Sequence, residues 1–288
     1  MKKYDSILRY GKRETHAVLE GNPTIMIQEK IDGANASFEL VDGEVFAFSR
    51  NMQLSESEGL RGFYQWTQAN IDPTKLQEGK VYFGEWTAPH KLNYGEHHHK
   101  FFLFDVFDLQ TEKYADFDTV SEVAKLLGLQ TAPLFYRGEF QSVEHIQSFV
   151  GQSKLGEVGE GVVVKNPVYV DRHGGNVYLK FVSDYFKEAH FSKQDKPKNS
   201  GDSLQDFINA TLTESRVSKL IGKLVDEGKI SEDYAIEDMG TILKSLGNSV
   251  FEDIMKEEQD QLFKTLRKKL SRNVPVVVKK VLVAEGRA

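Results

Sequence analysis

The sequence predicts an α+β protein, with a β-rich domain over residues 1–195 followed by a small all-helical C-terminal domain over residues 203–288. Three observations carry this. Short apolar runs rich in aromatics crowd the first part, helical periodicity takes over in the last, and a polar stretch between them, Gln194–Ser203 with Pro197 and Gly201, reads as a linker.

Taken in order, residues 24–110 read as strands and tight turns. ASFEL and VFAFSR alternate apolar and polar residues around Asp42-Gly43, a hairpin signal. KVYFGEW and KFFLFDVFDL are short apolar runs, hence buried strands. Helical patterns follow at Thr119–Leu127 and Val143–Val150. Two strand-like runs then return, EGVVVKN and NVYLKFV, parted by a turn at His173-Gly174-Gly175. Beyond the linker aromatics thin out, and helical periodicity appears in SRVSKLIGKLVDEG, MGTILKSLG and SVFEDIMKEEQDQLFKTLRKKL. No internal repeat or low-complexity tract interrupts this order.

Composition sets the class. Of 288 residues, 40% are hydrophobic and 28% charged, which suits a soluble chain with a real core. No apolar run approaches the roughly 20 residues that span a bilayer, and MKKYDSILRY lacks the apolar segment of a secretory signal. The absence of cysteine excludes disulfides and thiolate metal sites and fits a reducing compartment. A cytoplasmic location is therefore expected, the host cytoplasm if the chain is phage-encoded.

The chemically informative stretch is Glu29-Lys30-Ile31-Asp32-Gly33-Ala34-Asn35. A lysine at a strand end, followed by a carboxylate and a glycine, can place an amine beside a phosphate, and Gly33 permits a tight turn and close backbone approach. Alone, K-x-D-G is simply a strand running into a polar turn. Downstream come Ser49-Arg50-Asn51, Phe83-Gly84-Glu85, Phe101-Phe102-Leu103-Phe104-Asp105, Glu160-Gly161-Val162-Val163-Val164-Lys165 and Tyr178-Leu179-Lys180-Phe181. Singly, Phe102 and Phe104 read as core aromatics, and Glu160 and Lys165 as an exposed pair flanking a buried strand. In this order, each polar residue at the edge of a predicted strand, the set resembles the nucleotidyl transferase motifs of covalent ligases and capping enzymes.

That resemblance implies an antiparallel-sheet nucleotidyltransferase (adenylation) domain that uses ATP as AMP donor together with Mg²⁺ or Mn²⁺. Lys30 would be the nucleophile that accepts AMP. An amine attacks only when neutral, and a reference pKa of about 10.4 leaves lysine protonated. Neighbouring cations, namely Lys165, Lys180 and bound Mg²⁺, are expected to lower it. Lys165 and Lys180 would hold the α-phosphate and Glu160 the metal. Glu85 would bind the ribose hydroxyls, and Phe104 would stack on adenine, with Phe102 as the other option. Glu29 would accept from the adenine amino group. Asp32, Gly33 and Asn35 complete the nucleotide-binding motif, and Arg50 would meet phosphate or the nucleic-acid end.

Within that superfamily the chain resembles the RNA ligase 2 family. The resemblance rests on Asn35, on the opening Lys3-Tyr4-Asp5-Ser6-Ile7, and on the segment from Glu85 through Tyr94-Gly95 to Phe104-Asp105. It extends to a helical C-terminal domain beginning near Leu212-Thr213-Glu214-Ser215-Arg216, where DNA ligases and capping enzymes carry an OB-fold. It implies a monomer, without a membrane partner, that seals 3′-OH/5′-phosphate breaks, nicks in duplex RNA foremost. Tyr4, Arg50 and Arg216 would contact nucleic acid. The net charge of −6 is opposite to what such a partner attracts, but Phe263–Ala284 carries Lys264, Arg267, Lys268, Lys269, Arg272, Lys279 and Lys280 with no acid. By itself that stretch is a solvated helix face; beside the resemblance it would clamp the duplex through phosphates.

Two positions depart from the family. Val182 stands where a second lysine is expected two residues after Lys180, with Lys187 as a substitute, and Gln28 stands where arginine is usual. The rival readings are an ATP-dependent DNA ligase or GTP-using capping enzyme of the same superfamily, and a non-catalytic nucleotide- or RNA-binding relative. His97-His98-His99 in an extended segment would point to alternate faces and reads as a surface loop, and Gly174-Gly175 lacks the surroundings of a P-loop.

Overall fold

Alternation of apolar and polar residues builds two facing sheets, each with its own outer core. The structure, a computed structural model, describes residues 1–11, 13–57, 59–88, 92–183, 203–285 and 287; the expected linker up to residue 202, the boundary at residue 195 and Lys187 lie outside them. The first sheet takes β1 (Leu8–Arg9), β2 (Thr24–Lys30), β9 (Leu134–Glu139), β10 (Gly161–Val170) and β11 (Asn176–Val182), in the order β1-β11-β10-β2-β9. The second takes β3 (Ala34–Val41), β4 (Glu44–Ser49), β5 (Lys80–Trp86), β6 (Phe101–Asp108) and β7 (Lys113–Tyr114), in the order β4-β3-β5-β6-β7, with β8 (Gln130–Thr131) parallel to β6. Apart from that pair and the parallel β1–β11 pair, every ladder is antiparallel.

Local chemistry explains the punctuation. Val41 pairs with Glu44 across Asp42 and Gly43, whose φ values of 51° and 79° make the mirror-image turn that follows strand twist. α3 (Phe117–Leu127) starts where Asp116 accepts from the Thr119 N–H at 2.8 Å and stops at Gly128, φ 70°. α4 (Val143–Gln147), capped by Ser142, is shorter than its periodicity suggests. α1 (Arg13–His16) and α2 (Phe63–Asn70) are brief connectors.

The period of two separates the faces. Ile25, Ile27, Val162, Val164, Leu179 and Phe181 form the outer core of the first sheet, and Ala36, Phe38, Tyr82, Trp86, Phe101 and Leu103 that of the second. Between the sheets lie Tyr4, Val81, Phe83, Phe107, Val163 and Tyr178. The sheets meet through these side chains, and polar residues take many of the remaining inward positions, Lys30, Gln28, Lys165, Lys180, Asn35, Ser37, Glu85 and Asp105 among them.

Close packing divides the chain into two units, Met1–Phe186 with Asp226–Gly228, and Lys187–Val225 with Lys229–Ala288. The second is helical in its described residues: α5 (Ser203–Thr211), α6 (Glu214–Asp226) and α7 (Met239–Ala284). Leu220, Leu224, Ile230, Ile242 and Leu246 form its core. The two separate helical patterns of the sequence join into the single α7, which passes through Pro275, where one backbone hydrogen bond is lost. No described helix is long and apolar enough to cross a membrane.

Candidate nucleotide-transfer site

Register places the candidate residues in rows on the facing surfaces of the two sheets. On the first sheet Lys30 lies opposite Gly161, which lies opposite Val182; the next inward row is Gln28, Val163 and Lys180, and the next Met26, Lys165 and Tyr178. On the second, Asn35, Glu85 and Phe102 share a row, and Ser37, Phe83 and Asp105 the next. Gly161 is required where it stands, because a Cβ there would collide with the Phe181 carbonyl; one at Gly33 would lie 2.5 Å from the Trp86 oxygen. These two glycines let the strands bring Lys30 and Glu85 together.

Lys30 Nζ donates to Glu160 Oε2 at 2.5 Å. Burial alone would push the amine's pKa down, but Glu160, Glu85 and Asp32 surround it with negative charge, and the net direction is up. Of the cations expected to lower the pKa of Lys30, neither lysine outweighs the acidic side chains beside it. Glu85 is pushed up to about 8, by burial first, with Lys30 and Arg50 pulling down and Glu160 and Asp32 pushing up. Lys180 lies one row from Lys30, half-buried, and Val182 occupies Lys30's own row. The missing family lysine is thus missing from the row where it would stand nearest the amine.

The residues flanking Lys30 have structural partners. Glu29 faces away from Lys30 and is buried, accepting from the Ser153 hydroxyl and, at 2.8 Å, from the Lys154 N–H. Burial pushes its pKa up, against those bonds and the nearby charges of Lys154 and His97. Asp32 accepts from the Leu92 N–H at 3.0 Å and donates its own N–H to the Tyr94 hydroxyl at 2.8 Å, so it ties the loop at Leu92–Tyr94 to the end of β2. Arg50, exposed, reaches the Ser6 hydroxyl at 3.4 Å. Gln28, at the place of the family's arginine, donates to the Ala132 carbonyl at 3.3 Å and is buried.

Three expected roles do not match their surroundings. Lys165, expected at the α-phosphate, projects from the row at the far end of the sheet interface, roughly 13 Å along β10 from Gly161. It is buried in an ion pair with Asp105 at 2.7 Å and also donates to the Phe104 carbonyl at 2.9 Å. Tyr4, expected at nucleic acid, is buried too and gives its hydroxyl to Asp105. Arg216, likewise expected at nucleic acid, is fully buried inside the helical unit. It donates to Asp253 at 2.9 Å, to the Thr211 carbonyl at 2.5 Å and to Glu258 at 3.5 Å. Sequence reasoning quoted Asp105 and Tyr94 within its motif segments without assigning them a role, and it missed Ser153 and Lys154; these four are the groups that hold the motif residues.

Phe104 and Phe102 both border the cluster of Ile31, Tyr94, Phe102 and Ala132, but Phe102 is fully buried and Phe104 half-buried. Phe104 sits where the β5–β6 register slips, between Phe83–Asp105 and Gly84–Leu103. The slip is a bulge, which re-aims its ring. Of the histidines, His98 bonds Asn93 and the Tyr94 N–H within their own loop.

A divalent cation fits the charge of the site. Three acidic side chains, Glu160, Glu85 and Asp32, surround one amine there, and Ser183, whose N–H meets the Glu160 carbonyl, has a buried hydroxyl with no partner among the described residues. No group of three or more His, Asp or Glu is placed to hold an ion alone among the described residues. That suits Mg²⁺, which keeps its waters and binds through one or two carboxylates plus substrate phosphates.

The RNA ligase family model matches residues 23–182. Among solved structures, a Naegleria gruberi RNA ligase variant with ATP and Mn superposes with TM-score 0.52 at 19% identity, covering 65% of this chain and 57% of that one. A second variant of the same ligase, with AMP and Mn, gives 0.48 at 17% identity, with the same coverage. The chain therefore spans little more than half the length of these structures, and the first supports the fold of the sheet domain. None of the curated proteins matches.

Proposed function

This chain belongs to the RNA ligase family, and from that we propose that it is an ATP-dependent RNA ligase that joins 3′-OH and 5′-phosphate ends, nicks in duplex RNA foremost, through AMP carried on Lys30. The carrying observation is Lys30 itself: the one lysine of the family's K-x-D-G motif stands within 2.5 Å of Glu160 and in the field of Glu85 and Asp32. Lys30 Nζ attacks the α-phosphorus of ATP and the bond to pyrophosphate breaks. The AMP passes to a 5′-phosphate, and a 3′-hydroxyl then displaces it.

Each residue has a bounded task. Glu160 would hold Mg²⁺ or Mn²⁺, whose charge offsets that of the phosphates. Lys180, one row from Lys30, would meet the α-phosphate. Glu85 and Asn35 share a row suited to the ribose, and Phe104 offers a half-buried ring to the base. Glu29 could take the adenine amino group only by exchanging the bond from Ser153 or Lys154. Arg50, exposed beside Glu85's field, suits the incoming end. The basic surface of α7 suits phosphate contacts along a duplex, so sealing should weaken with added salt while self-adenylation should not.

Incubation with α-labelled ATP and Mg²⁺ followed by denaturing electrophoresis tests the first step. Label on the wild type and none on Lys30→Ala is expected; equal labelling of both would remove Lys30 as the nucleophile. Nicked RNA and DNA duplexes, and GTP in place of ATP, then separate this reading from DNA ligase and capping activities.

A further inference from the structure

The ion pair between Lys165 and Asp105 is the one charged link from sheet to sheet at the end of the interface away from Lys30, among the ion pairs of the described residues. Its cation comes from β10 and its carboxylate from β6. Both side chains are 6% exposed, so bulk water supplies little of their solvation. The pair is closed from a third side by Tyr4, whose hydroxyl takes the same Asp105 oxygen that Lys165 takes.

Everything in this cluster converges on Phe104. Lys165 Nζ donates to its carbonyl at 2.9 Å and lies 5.6 Å from its ring centre. The Tyr4 ring stands 4.8 Å from it at 59°. Asp105 is the next residue along the chain, and the bulge leaves Phe104 itself without a cross-strand partner in the β5–β6 register. A bulged residue has no ladder bonds to fix its direction, so side-chain bonds must do so. Here one bond holds its carbonyl, a second cation–carboxylate bond holds its neighbour, and an aromatic edge holds its ring. A buried pair adds little net stability over apolar replacements; positioning a half-buried ring is a task that such a pair can serve.

We propose that Tyr4, Asp105 and Lys165 are positioning residues for nucleotide capture, a buried relay that sets the Phe104 ring at the angle from which it stacks on the base of ATP. This deepens the assignment of Phe104 to adenine and rests on it. Lys165 then acts on the base side of the site rather than on the α-phosphate. A well-placed aromatic stack is worth about 0.5–1.5 kcal/mol, a factor of about 2–10 in affinity. Loss of the relay should therefore appear in the ATP concentration needed for half-maximal self-adenylation, not in the rate at saturation.

The test measures that rate against ATP concentration for Tyr4→Phe, Asp105→Asn and Lys165→Met, each alone and combined with Phe104→Leu, with thermal melts to keep assays below unfolding. Expected are KM for ATP raised about 2–10-fold in each single variant, a saturating rate held near wild type, and no further rise when Phe104 is already leucine. An equal rise in the Phe104→Leu background would show that the cluster does not act through that ring. A fall in saturating rate with KM unchanged would return Lys165 to the phosphate. Unchanged kinetics with lowered melting would make the cluster structural only. These outcomes all require that the wild type label and Lys30→Ala fail to; were the wild type inert with ATP, the assignment of the reaction would fall first and separately.

Discussion

Replacing Glu160 with glutamine should make Lys30 a better free nucleophile and the protein a worse enzyme. The two side chains are 24% and 14% exposed and 2.5 Å apart, so their charges are only partly screened. Unit charges about 4 Å apart attract by about 4 kcal/mol at an effective dielectric of about 20, and partial solvent access screens some of that. Without Glu160 the midpoint of the Lys30 amine should therefore fall, leaving more of it neutral at fixed pH. Acylation of the nucleotide-free protein by an amine-reactive reagent across pH, with the Lys30 peptide quantified by mass spectrometry, reads that midpoint directly. AMP transfer from ATP and Mg²⁺ reads the other half, where loss of the proposed metal carboxylate should cost about a hundredfold or more. An unmoved acylation midpoint would show that Glu160 does not control the amine; AMP transfer at the wild-type rate would remove Glu160 from the metal.

Glu85 should make the sheet domain less stable as pH rises. Its pKa is raised from 4.5 to about 8 by burial, so between those values the folded chain holds a proton that the unfolded chain has released, and stability declines with pH through that window. Melting temperatures of wild type and Glu85→Gln should diverge towards pH 8, with the variant higher; parallel curves would contradict the buried acid. Arg216→Ala should cost about 3–5 kcal/mol in the helical unit, because it removes the fully buried cation that bonds Asp253 and Glu258, with only Asp253 keeping the longer pairs to Lys219 and Lys223. Chemical denaturation followed by helical circular dichroism measures this, and a variant of unchanged stability with a shallower salt dependence of RNA binding would reinstate Arg216 at phosphate. Val182→Lys restores a cation to Lys30's row and should raise self-adenylation at neutral pH about 2–10-fold. No gain, with folding intact, would mean that Lys180 already supplies the charge.

The sheet domain was legible because its signals are periodic. Alternation around Asp42-Gly43 gives the β3–β4 hairpin directly, and the run Glu160–Lys165 is a strand whose alternate residues, Gly161, Val163 and Lys165, share a face in the structure as they must. Once Lys30 lies opposite Gly161, the meeting of Lys30, Glu85 and Glu160 is what that order of motifs implies. What did not show was direction along the strand. Lys165 and Lys180 are both cations on the inward face, but four residues of extended chain separate Lys165 from the row of Lys30, and residue type cannot reveal that Asp105 waits opposite. Tyr4 and Arg216 share a different reason. Each resembles a surface contact by sequence position, while burial is decided by partners distant in the chain, Asp105 for one and Asp253 and Glu258 for the other. The continuity of α7 was hidden by Gly240, Gly247 and Pro275, which break periodicity without breaking the helix.

The charge around Lys30 also bears on the order of events. A buried lysine in apolar surroundings would tend to lose its proton and become reactive towards any electrophile. Here the negative charge of Glu160, Glu85 and Asp32 outweighs that tendency and shifts the amine's pKa upward. A ligand that brings cations to those carboxylates removes the cause of the raised pKa at the moment it brings a phosphorus within reach. Under the proposed assignment, Glu160, which would bind the metal, is also foremost among the charges that raise the amine's pKa. Val182 leaves Lys30's own row without a lysine, and Lys180 stands one row away, so under the proposed assignment cations that arrive with the substrate would add to that one.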